Sequence, residues 1–409
     1  MNPTPVICNK NCDKTVLQEL LSKFWKKKVD VSNPVTELAT TKGNNFVSDA
    51  WRVKFSYKEV DKNELLKSTV IVKSKPDNEA QNTLMHTDIA FKNEILAYEE
   101  VIPTLNKYLG APLRVPRYVH GDTTSIVLED MNNRSFQTIN KKLATEWNQV
   151  WSPIQEMAKL HAASIIMQKL NKKEFDALIK KITVVPFDET TPLGEKQATA
   201  LDTISRILEE RKTPESIKCK EVVESLKKGA WQAQKDIIDK EVPIRVINHG
   251  SIWINNLLYR NDMITLLDWQ HIVYSSPATD LSFFLYVNLD TDFLSNKRKK
   301  LLDFYILNLH QNIYDVCINE FGVGELEKFL SSFTYDWIDS ELRRCSLYGY
   351  MMAQWITPVF YWSEAVFQQL ESIGGIENLS VTDRLKHMTF DQKDRVIKLT
   401  KHYLNDTSN

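Results

Sequence analysis

The sequence predicts an α+β fold in two parts: a small antiparallel β-sheet with one main helix, followed by a larger, mostly helical part. Apolar and polar residues alternate from Phe46 to Tyr57, and β-branched residues fill Ser68 to Lys73, as in half-buried strands. From about Lys141 onward, apolar residues recur with the helical period of about 3.6 residues. We therefore expect the first part to cover residues 1–130 and the second to cover residues 131–409.

The first part is expected to contain two helices and four strands. In chain order these are a helix at 16–28, strands at 46–57 and 68–73, the main helix at about 89–109, and strands at 117–120 and 125–129. One apolar stripe runs along the main helix, as expected for a helix that packs against a core. The stripe consists of Phe91, Ile95, Tyr98, Ile102 and Leu105.

Glu94 falls inside this apolar stripe of the main helix. A carboxylate on an apolar face is costly unless it is paired with a cation. Lys73 ends the preceding strand and is the obvious candidate partner. The alternative is an unrelated lysine and a hydrogen-bonded glutamate in the core.

The second part is predicted to be helical with one interruption. Trp147, Val150, Ile154, Met157 and His161 share one helical face, on which His161 is best interpreted as a structural histidine. Short apolar strands are expected at 244–248, 257–259 and 264–267, with a turn at 260–262. Residues 278–402 are predicted to form helices with aromatic stripes.

The composition is that of an ordinary globular protein. The 409 residues include 52 Lys and Arg against 53 Asp and Glu, so no bulk charge favours nucleic acid or an anionic membrane. We interpret the basic run at 297–300 as a solvated helix face. Without a signal-like start or a long apolar run, a cytoplasmic protein is the expectation. The five cysteines are too scattered for a disulfide framework or a metal site.

The segment from His249 to Asn256, HGSIWINN, carries the strongest functional signal, and LDWQ follows at 267–270. In kinase-like phosphoryl transfer, an Asp shortly after a His accepts the proton of the acceptor hydroxyl, and an Asn five residues later and a downstream Asp bind metal. Here Asn256 and Asp268 supply hard oxygen ligands suited to Mg²⁺, while Ser251 occupies the position of the base. The alternative for Asn256 and Asp268 is that both are turn residues.

Together these segments closely resemble the ecdysteroid kinase-like family, also described as CHK kinase-like proteins of insects and nematodes. The resemblance rests on HGSIWINN, LDWQ and the SPATDL that begins at Ser276. It extends to GNNF at 43–46, IVK ending at Lys73, FKNE ending at Glu94, VLED at 127–130 and HAAS at 161–164. The resemblance covers nearly the whole chain.

The resemblance implies a two-lobed protein kinase-like fold, similar to that of aminoglycoside and choline kinases. Such a protein uses ATP and Mg²⁺ to phosphorylate a hydroxyl of a small molecule, an ecdysteroid in the characterised cases. By position, Lys73 would contact the phosphates, Glu94 would hold Lys73, and Asn256 and Asp268 would bind magnesium. Adenine would bind at the linker that follows Val127, Leu128 and Glu129, and His249 and Ser251 would belong to the catalytic loop.

The sequence departs from the family pattern at Ser251, Ser275 and Trp269, and only the first of these changes the chemistry. General-base catalysis contributes about a hundredfold to ten-thousandfold, or about 3 to 5 kcal/mol. A serine hydroxyl cannot hold a proton at pH 7 as a carboxylate does. The sequence therefore predicts a kinase of reduced activity; the alternatives are a nucleotide- or ligand-binding pseudokinase and an interaction scaffold.

The acceptor and the partners are less well defined by the sequence. An apolar pocket of steroid size could be lined by Tyr350, Met351, Trp355, Phe360 and Trp362, although an aromatic stripe is more often core. A small-molecule alcohol is the expected partner, without nucleic acid or membrane. We expect Asp280 to cap a helix and brace the catalytic loop.

Overall fold

A computed structural model describes residues 12–39, 48–62, 64–76, 79–84, 86–139, 143–185, 192–361 and 380–407. The GNNF motif at 43–46 lies outside these residues. Within them, no helix is long and apolar enough to cross a membrane.

The N-terminal part is an antiparallel sheet of five strands in the order β1-β2-β3-β5-β4. Its strands are β1 (Val29–Leu38), β2 (Asp49–Glu59), β3 (Leu66–Ser74), β4 (Tyr118–Gly121) and β5 (Ser125–Glu129). Helix α1 (Lys14–Trp25) covers one face, where Leu17 and Leu21 pack with apolar residues from β1, β2, β3 and β5. The predicted α+β class is confirmed.

The other face of the sheet holds the main helical segment. It consists of α2 (Glu79–Leu84), α3 (Thr87–Leu96), a π-helical turn at Ala97–Val101 and α4 (Ile102–Asn106). Phe91 and Leu105 are almost fully buried together with Ile126 and Leu128 of β5. The helix predicted at about 89–109 therefore exists, and its apolar stripe faces the sheet and the helical part.

The C-terminal part consists mainly of helices around the central helix α5 (Trp151–Leu170). The others are α6 (Lys172–Ile179), α7 (Pro192–Arg211), α8 (Pro214–Leu226), α9 (Ala230–Asp239), α10 (Ala278–Asn288), α11 (Thr291–Cys317), α12 (Val323–Leu330), α13 (Tyr335–Arg344), α14 (Ser346–Tyr361), and helices at Val381–His387 and Phe390–Thr407. Two short antiparallel pairs interrupt them. They are β6 (Val246–Asn248) with β9 (Val273–Ser275), and β7 (Leu257–Arg260) with β8 (Met263–Leu266).

These two strand pairs place the motif residues on neighbouring loops. The segment between β6 and β7 carries HGSIWINN, and the segment between β8 and β9 carries Asp268. The proposed boundary between residues 130 and 131 falls in the segment between Glu129 at the end of β5 and Trp151 at the start of α5.

The basic run at 297–300 is not a uniformly solvated face, which corrects the sequence-based interpretation. Arg298 is largely buried, and its guanidinium bonds Asp339 at 2.6 Å and Asp406 at 2.9 Å. Lys299 does remain exposed and pairs with Asp303. Because 297–300 make about one turn of α11, one of the four residues, Arg298, faces α13 and the C-terminal helix.

Candidate functional site

A cleft of about 950 Å³ lies between the sheet and the helical part. Its lining combines charged groups of β3 and of the two loops with apolar side chains of the helical part. Among these residues are Lys73, Gly250, Ser251, Trp253, Asn256, Asp268, His271, Trp231, Met351 and Trp355. The predicted phosphate and metal residues therefore share one cavity with an apolar wall.

Lys73 lies near the end of β3 and bonds two carboxylates at once. Its Nζ is 2.5 Å from Oε2 of Glu94 on α3 and 2.5 Å from Oδ1 of Asp268. Burial lowers the pKa of Lys73, but the charges of Asp268 and Glu94 outweigh burial and hold this pKa above its ordinary value. Lys73 is therefore a permanent cation at the cleft, and its predicted pairing with Glu94 is present.

Glu94 is fully buried on the apolar face where the sequence placed it. Burial raises the pKa of Glu94 to about 7, while the charge of Lys73 opposes that rise. Its neighbour Asn93 uses its amide to hold the backbone oxygens of Thr183 at 2.7 Å and Gln270 at 3.3 Å. Consecutive residues of α3 thus position the lysine and the segment that follows Asp268.

Asp268 sits just after β8 with a φ of +66°. Aspartate tolerates this left-handed region better than most residues, and such conformations concentrate at functional sites. The second oxygen of the carboxylate, Oδ2, accepts a hydrogen bond from Nε2 of Gln270 at 3.1 Å. Two contacts therefore orient the carboxylate toward the cleft.

Ser251 and Asn256 are joined across the loop between β6 and β7. Nδ2 of Asn256 donates to the backbone oxygen of Ser251 at 2.9 Å and to its Oγ at 3.0 Å. Because the oxygen and nitrogen of an amide point in different directions within its plane, Oδ1 of Asn256 is not used by Ser251 and remains available as an acceptor or ligand. The serine hydroxyl thus stands where the resemblance places a base and is held there by Asn256, the predicted metal ligand.

Asp280 on α10 holds the same loop through hydrogen bonds to its backbone. Its carboxylate accepts backbone N–H bonds from His249 and Gly250, each at 2.8 Å. His161 lies 3.4 Å from Asp280 and bonds the hydroxyl of Tyr305 at 2.9 Å, which fits the predicted structural role of this histidine. The predicted helix cap is wrong, because Asp280 is the third residue of α10 and its carboxylate is directed at the loop.

His249 is fully buried, and both ring nitrogens are used. Nε2 lies 2.9 Å from the backbone oxygen of Leu267, while Nδ1 accepts the N–H of Ser251 at 3.3 Å. Burial lowers its pKa, so the ring is neutral with its proton on Nε2. His249 therefore ties the two loops together as a positioning residue.

Comparison with known proteins agrees with this geometry. The family model described as the ecdysteroid kinase-like family matches residues 42–318, which include Lys73, Glu94, the loop from His249 to Asn256, and Asp268. The chain belongs to the ecdysteroid kinase-like family. No curated protein sequence matches the chain.

Solved structures of several kinases share the overall shape at low identity. An ethanolamine kinase from Plasmodium vivax is 12% identical, with 91% of this chain and 82% of that chain covered and a TM-score of 0.40. A choline kinase from Cryptosporidium parvum is 11% identical, with 97% and 96% covered and a TM-score of 0.44. A macrolide 2'-phosphotransferase from Brachybacterium faecium is 12% identical, with 81% and 97% covered and a TM-score of 0.36. Family membership rests on the family model and not on these likenesses.

The donor set of this ecdysteroid kinase-like protein suits magnesium. Asn256 contributes an amide oxygen and Asp268 a carboxylate, which are hard ligands. In the part of the chain that the structure describes, no cluster of three or more His, Cys, Asp or Glu residues could hold a metal ion. These two oxygen ligands fit Mg²⁺, an ion that takes few protein ligands and fills its shell with phosphate oxygens and water.

The predicted adenine linker lies beside the cleft, but its side chains divide between two faces. Val127 is buried in the core on the α1 face, whereas Leu128 lines the cleft. Glu129 borders the cleft, and its carboxylate is paired with Arg117 at 3.1 Å and Arg134 at 2.9 Å. Strand alternation thus turns Leu128 toward the cleft, and Met131 of the segment that follows Glu129 also lines it.

The predicted aromatic pocket is present only in part. Met351 and Trp355 of α14 line the cleft, while Tyr350 is fully buried in the core with its hydroxyl 3.0 Å from that of Thr400. The side chain of Phe360 and the residue Trp362 lie outside the described residues. Sequence reasoning missed Trp231, Gln234 and Ile238 of α9 and also His271, because no motif spacing links them to the loop.

Gly250 provides a first test of the loop geometry. Its φ is +80°, and a Cβ there would stand 2.0 Å from the backbone oxygen of His271. We expect Gly250→Ala to lower the free energy of unfolding by about 1 to 3 kcal/mol or more, through strain and a displaced loop. Urea denaturation measures this. Gly110→Ala is the control, since nothing lies within 4 Å of its added Cβ; equal stability of the two variants would contradict the geometry.

Proposed function

We propose that the protein is an ATP- and Mg²⁺-dependent phosphotransferase that phosphorylates a hydroxyl of a small apolar molecule such as an ecdysteroid. Its activity is reduced because Ser251 stands at the position of the catalytic carboxylate. The observation that carries the proposal is the contact of Lys73 with both Glu94 and Asp268, in the same cleft as the bonded pair Ser251 and Asn256. Membership of a kinase-like phosphotransferase family supports it. A cytoplasmic location would give it ATP and Mg²⁺.

Each residue has a defined part in this proposal. Lys73 places a fixed positive charge against the phosphate oxygens of ATP, and Glu94 holds the lysine in place. Asp268 and Asn256 would hold Mg²⁺, and a bound Mg²⁺ would supply positive charge that stabilises the negative charge of the transferred group. The loose transition state of phosphoryl transfer is stabilised mainly by such positioning and charge, so these groups supply most of the catalysis.

Ser251 orients the acceptor but does not remove its proton. Its Oγ accepts from Asn256, so its remaining hydrogen-bonding capacity can position an incoming hydroxyl. A serine hydroxyl stays protonated at pH 7 and cannot replace a carboxylate as a base. We therefore expect slow transfer with normal binding of Mg-ATP.

The apolar wall of the cleft supports an apolar acceptor. The side of the cleft formed by the helical part is lined by Trp231 of α9 and by Met351, Met352 and Trp355 of α14. Large aromatic and Met side chains bind extended apolar surfaces, and a cavity of about 950 Å³ has room for a nucleotide and a compact alcohol. Gln234 adds a polar group in this wall.

The second candidate is a nucleotide- or ligand-binding protein without turnover. The observation in its favour is Ser251 itself, whose hydroxyl is held by Asn256 in a buried loop. This candidate predicts that Mg-ATP stabilises the fold while no acceptor is phosphorylated.

Ser251→Asp separates the two candidates. We expect this variant to transfer phosphate from labelled ATP to a steroid alcohol about tenfold to a thousandfold faster than wild type, because a carboxylate restores the general base. Ser332→Asp, at an exposed position, is the matched control and should leave the rate unchanged. If Ser251→Asp binds Mg-ATP yet transfers nothing to any alcohol in a panel, the phosphotransferase proposal fails and the binding protein is favoured.

A further inference from the structure

We propose that His271 accepts the proton of the acceptor hydroxyl, in place of the carboxylate that Ser251 replaces. The inference rests on the proposed function and adds a catalytic residue to it. His271 is the last residue of a 3₁₀ turn that begins directly after Asp268. It lines the same cleft as Gly250 and Ser251.

The backbone places His271 against Gly250, the residue next to the base position. Its carbonyl oxygen lies 2.0 Å, and its own Cβ 3.2 Å, from where a Cβ on Gly250 would be. The close approach is possible because residue 250 is glycine, and Gly250 is bonded directly to Ser251. The side chain of His271 therefore extends from a point next to the loop that carries Gly250 and Ser251, which the acceptor hydroxyl must reach.

The turn that carries His271 is held firmly. Asn93 on α3 donates to the backbone oxygen of Gln270 at 3.3 Å, and the Gln270 side chain bonds Asp268. Trp269, at the start of the turn, is fully buried against the ring of His249, with ring centroids 4.6 Å apart. A catalytic group needs such fixed support to act at one position.

The ring of His271 is free to take part in chemistry. His161 and His249 use both ring nitrogens in bonds to neighbouring groups. Among the residues that the structure describes, none forms a hydrogen bond with the ring of His271, which is partly exposed in the cleft. This distinguishes His271 from the two structural histidines nearby.

The charged groups around His271 favour a neutral ring at pH 7. Burial lowers the pKa of His271 most, Asp268 opposes this, and His249 and Lys73 lower it further. The net pKa lies below the ordinary value, so the ring can accept a proton under physiological conditions.

The proposed step is a balanced transfer. The hydroxyl proton of the acceptor moves to a ring nitrogen of His271 as the acceptor oxygen forms a bond to the γ-phosphorus of ATP. The bond from that phosphorus to the bridging oxygen breaks, and ADP leaves with the electron pair. The imidazolium then releases its proton to water.

A double-mutant cycle that combines His271→Gln with Ser251→Asp tests whether His271 accepts the proton. We expect His271→Gln to lower kcat/KM about a hundredfold or more in the wild-type background. In the Ser251→Asp background, a carboxylate can accept the proton instead. There His271→Gln should lower kcat/KM by less than about threefold. If His271 only supported the fold, His271→Gln would lower kcat/KM by the same factor in both backgrounds. That result would overturn the proposal.

Two further measurements test the assignment, and the first of them does not depend on turnover. Mg-ATP binding by calorimetry should be unchanged in His271→Gln, with His387→Gln as the control outside the cleft. The pH profile of kcat/KM should fall on the acid side as His271 becomes protonated, and this limb should move to lower pH in Ser251→Asp. A wild-type limb that persists in His271→Gln refutes the assignment. If no variant transfers phosphate although Mg-ATP binds, the proposed function fails together with the inference.

Discussion

Asp268→Asn is expected to reduce phosphate transfer by about 10²- to 10³-fold or more, because it removes the only full negative charge proposed for the metal site. It should also remove the Mg²⁺-dependent part of ATP binding. Calorimetry with ATP, with and without Mg²⁺, measures the second effect independently of turnover. The fold should survive, since Lys73 keeps Glu94 as a partner at 2.5 Å.

Asp262→Asn is the matched control for this change, because Asp262 lies in the exposed turn between β7 and β8. Its transfer rate and its magnesium response should equal those of wild type. If Asp268→Asn retained Mg²⁺-dependent ATP binding, Asp268 would not be a metal ligand, and its contact with Lys73 would be only a structural ion pair.

Asp280→Ala is expected to lower the free energy of unfolding by about 3 to 5 kcal/mol. The carboxylate is completely buried and accepts the backbone N–H groups of His249 and Gly250. Its loss would leave both donors unpaired away from water, and each buried unpaired donor costs about 1 to 3 kcal/mol. Urea denaturation measures the change.

Asp280→Asn is the matched variant for this second prediction. The amide keeps one acceptor oxygen, so it can hold one of the two N–H groups and should cost clearly less than alanine. Equal losses for Asn and Ala would mean that the two backbone bonds contribute little and that the charge of Asp280 matters instead. The alanine variant should also transfer phosphate slowly, since the loop that holds Ser251 would shift.

Much of the candidate site could be predicted because its residues occur at short, motif-like spacings. Asn256 follows Ser251 by five residues, and the structure shows the two side chains hydrogen-bonded. Glu94 was expected to meet Lys73 because a carboxylate on an apolar helix face needs a cation, and the pair is present. The contact of Lys73 with Asp268, 195 residues away, was not predicted.

Some elements were missed for identifiable physical reasons. Strand β1 contains Pro34 and an irregular register between Ser32 and Val35, with Asn33 at a φ of +51°. Proline and asparagine indicate a turn in a sequence, yet an edge strand tolerates both. Strand β9 has only three residues, too few to show a period, and exists because β6 pairs with it.

Local periodicity and residue chemistry were sufficient to predict the class of fold, the order of its main elements and the four residues that we propose to surround Mg-ATP, which are Lys73, Glu94, Asn256 and Asp268. These sequence patterns depend on neighbours within a few residues along the chain. Which side chains line the cleft was settled by the folded arrangement, since α9 and α14 approach the loops from distant parts of the chain and strand alternation turns Val127 away from the cleft and Leu128 toward it. The proximity of His271 to Gly250, the neighbour of Ser251, is of this second kind, because it arises where two loops meet.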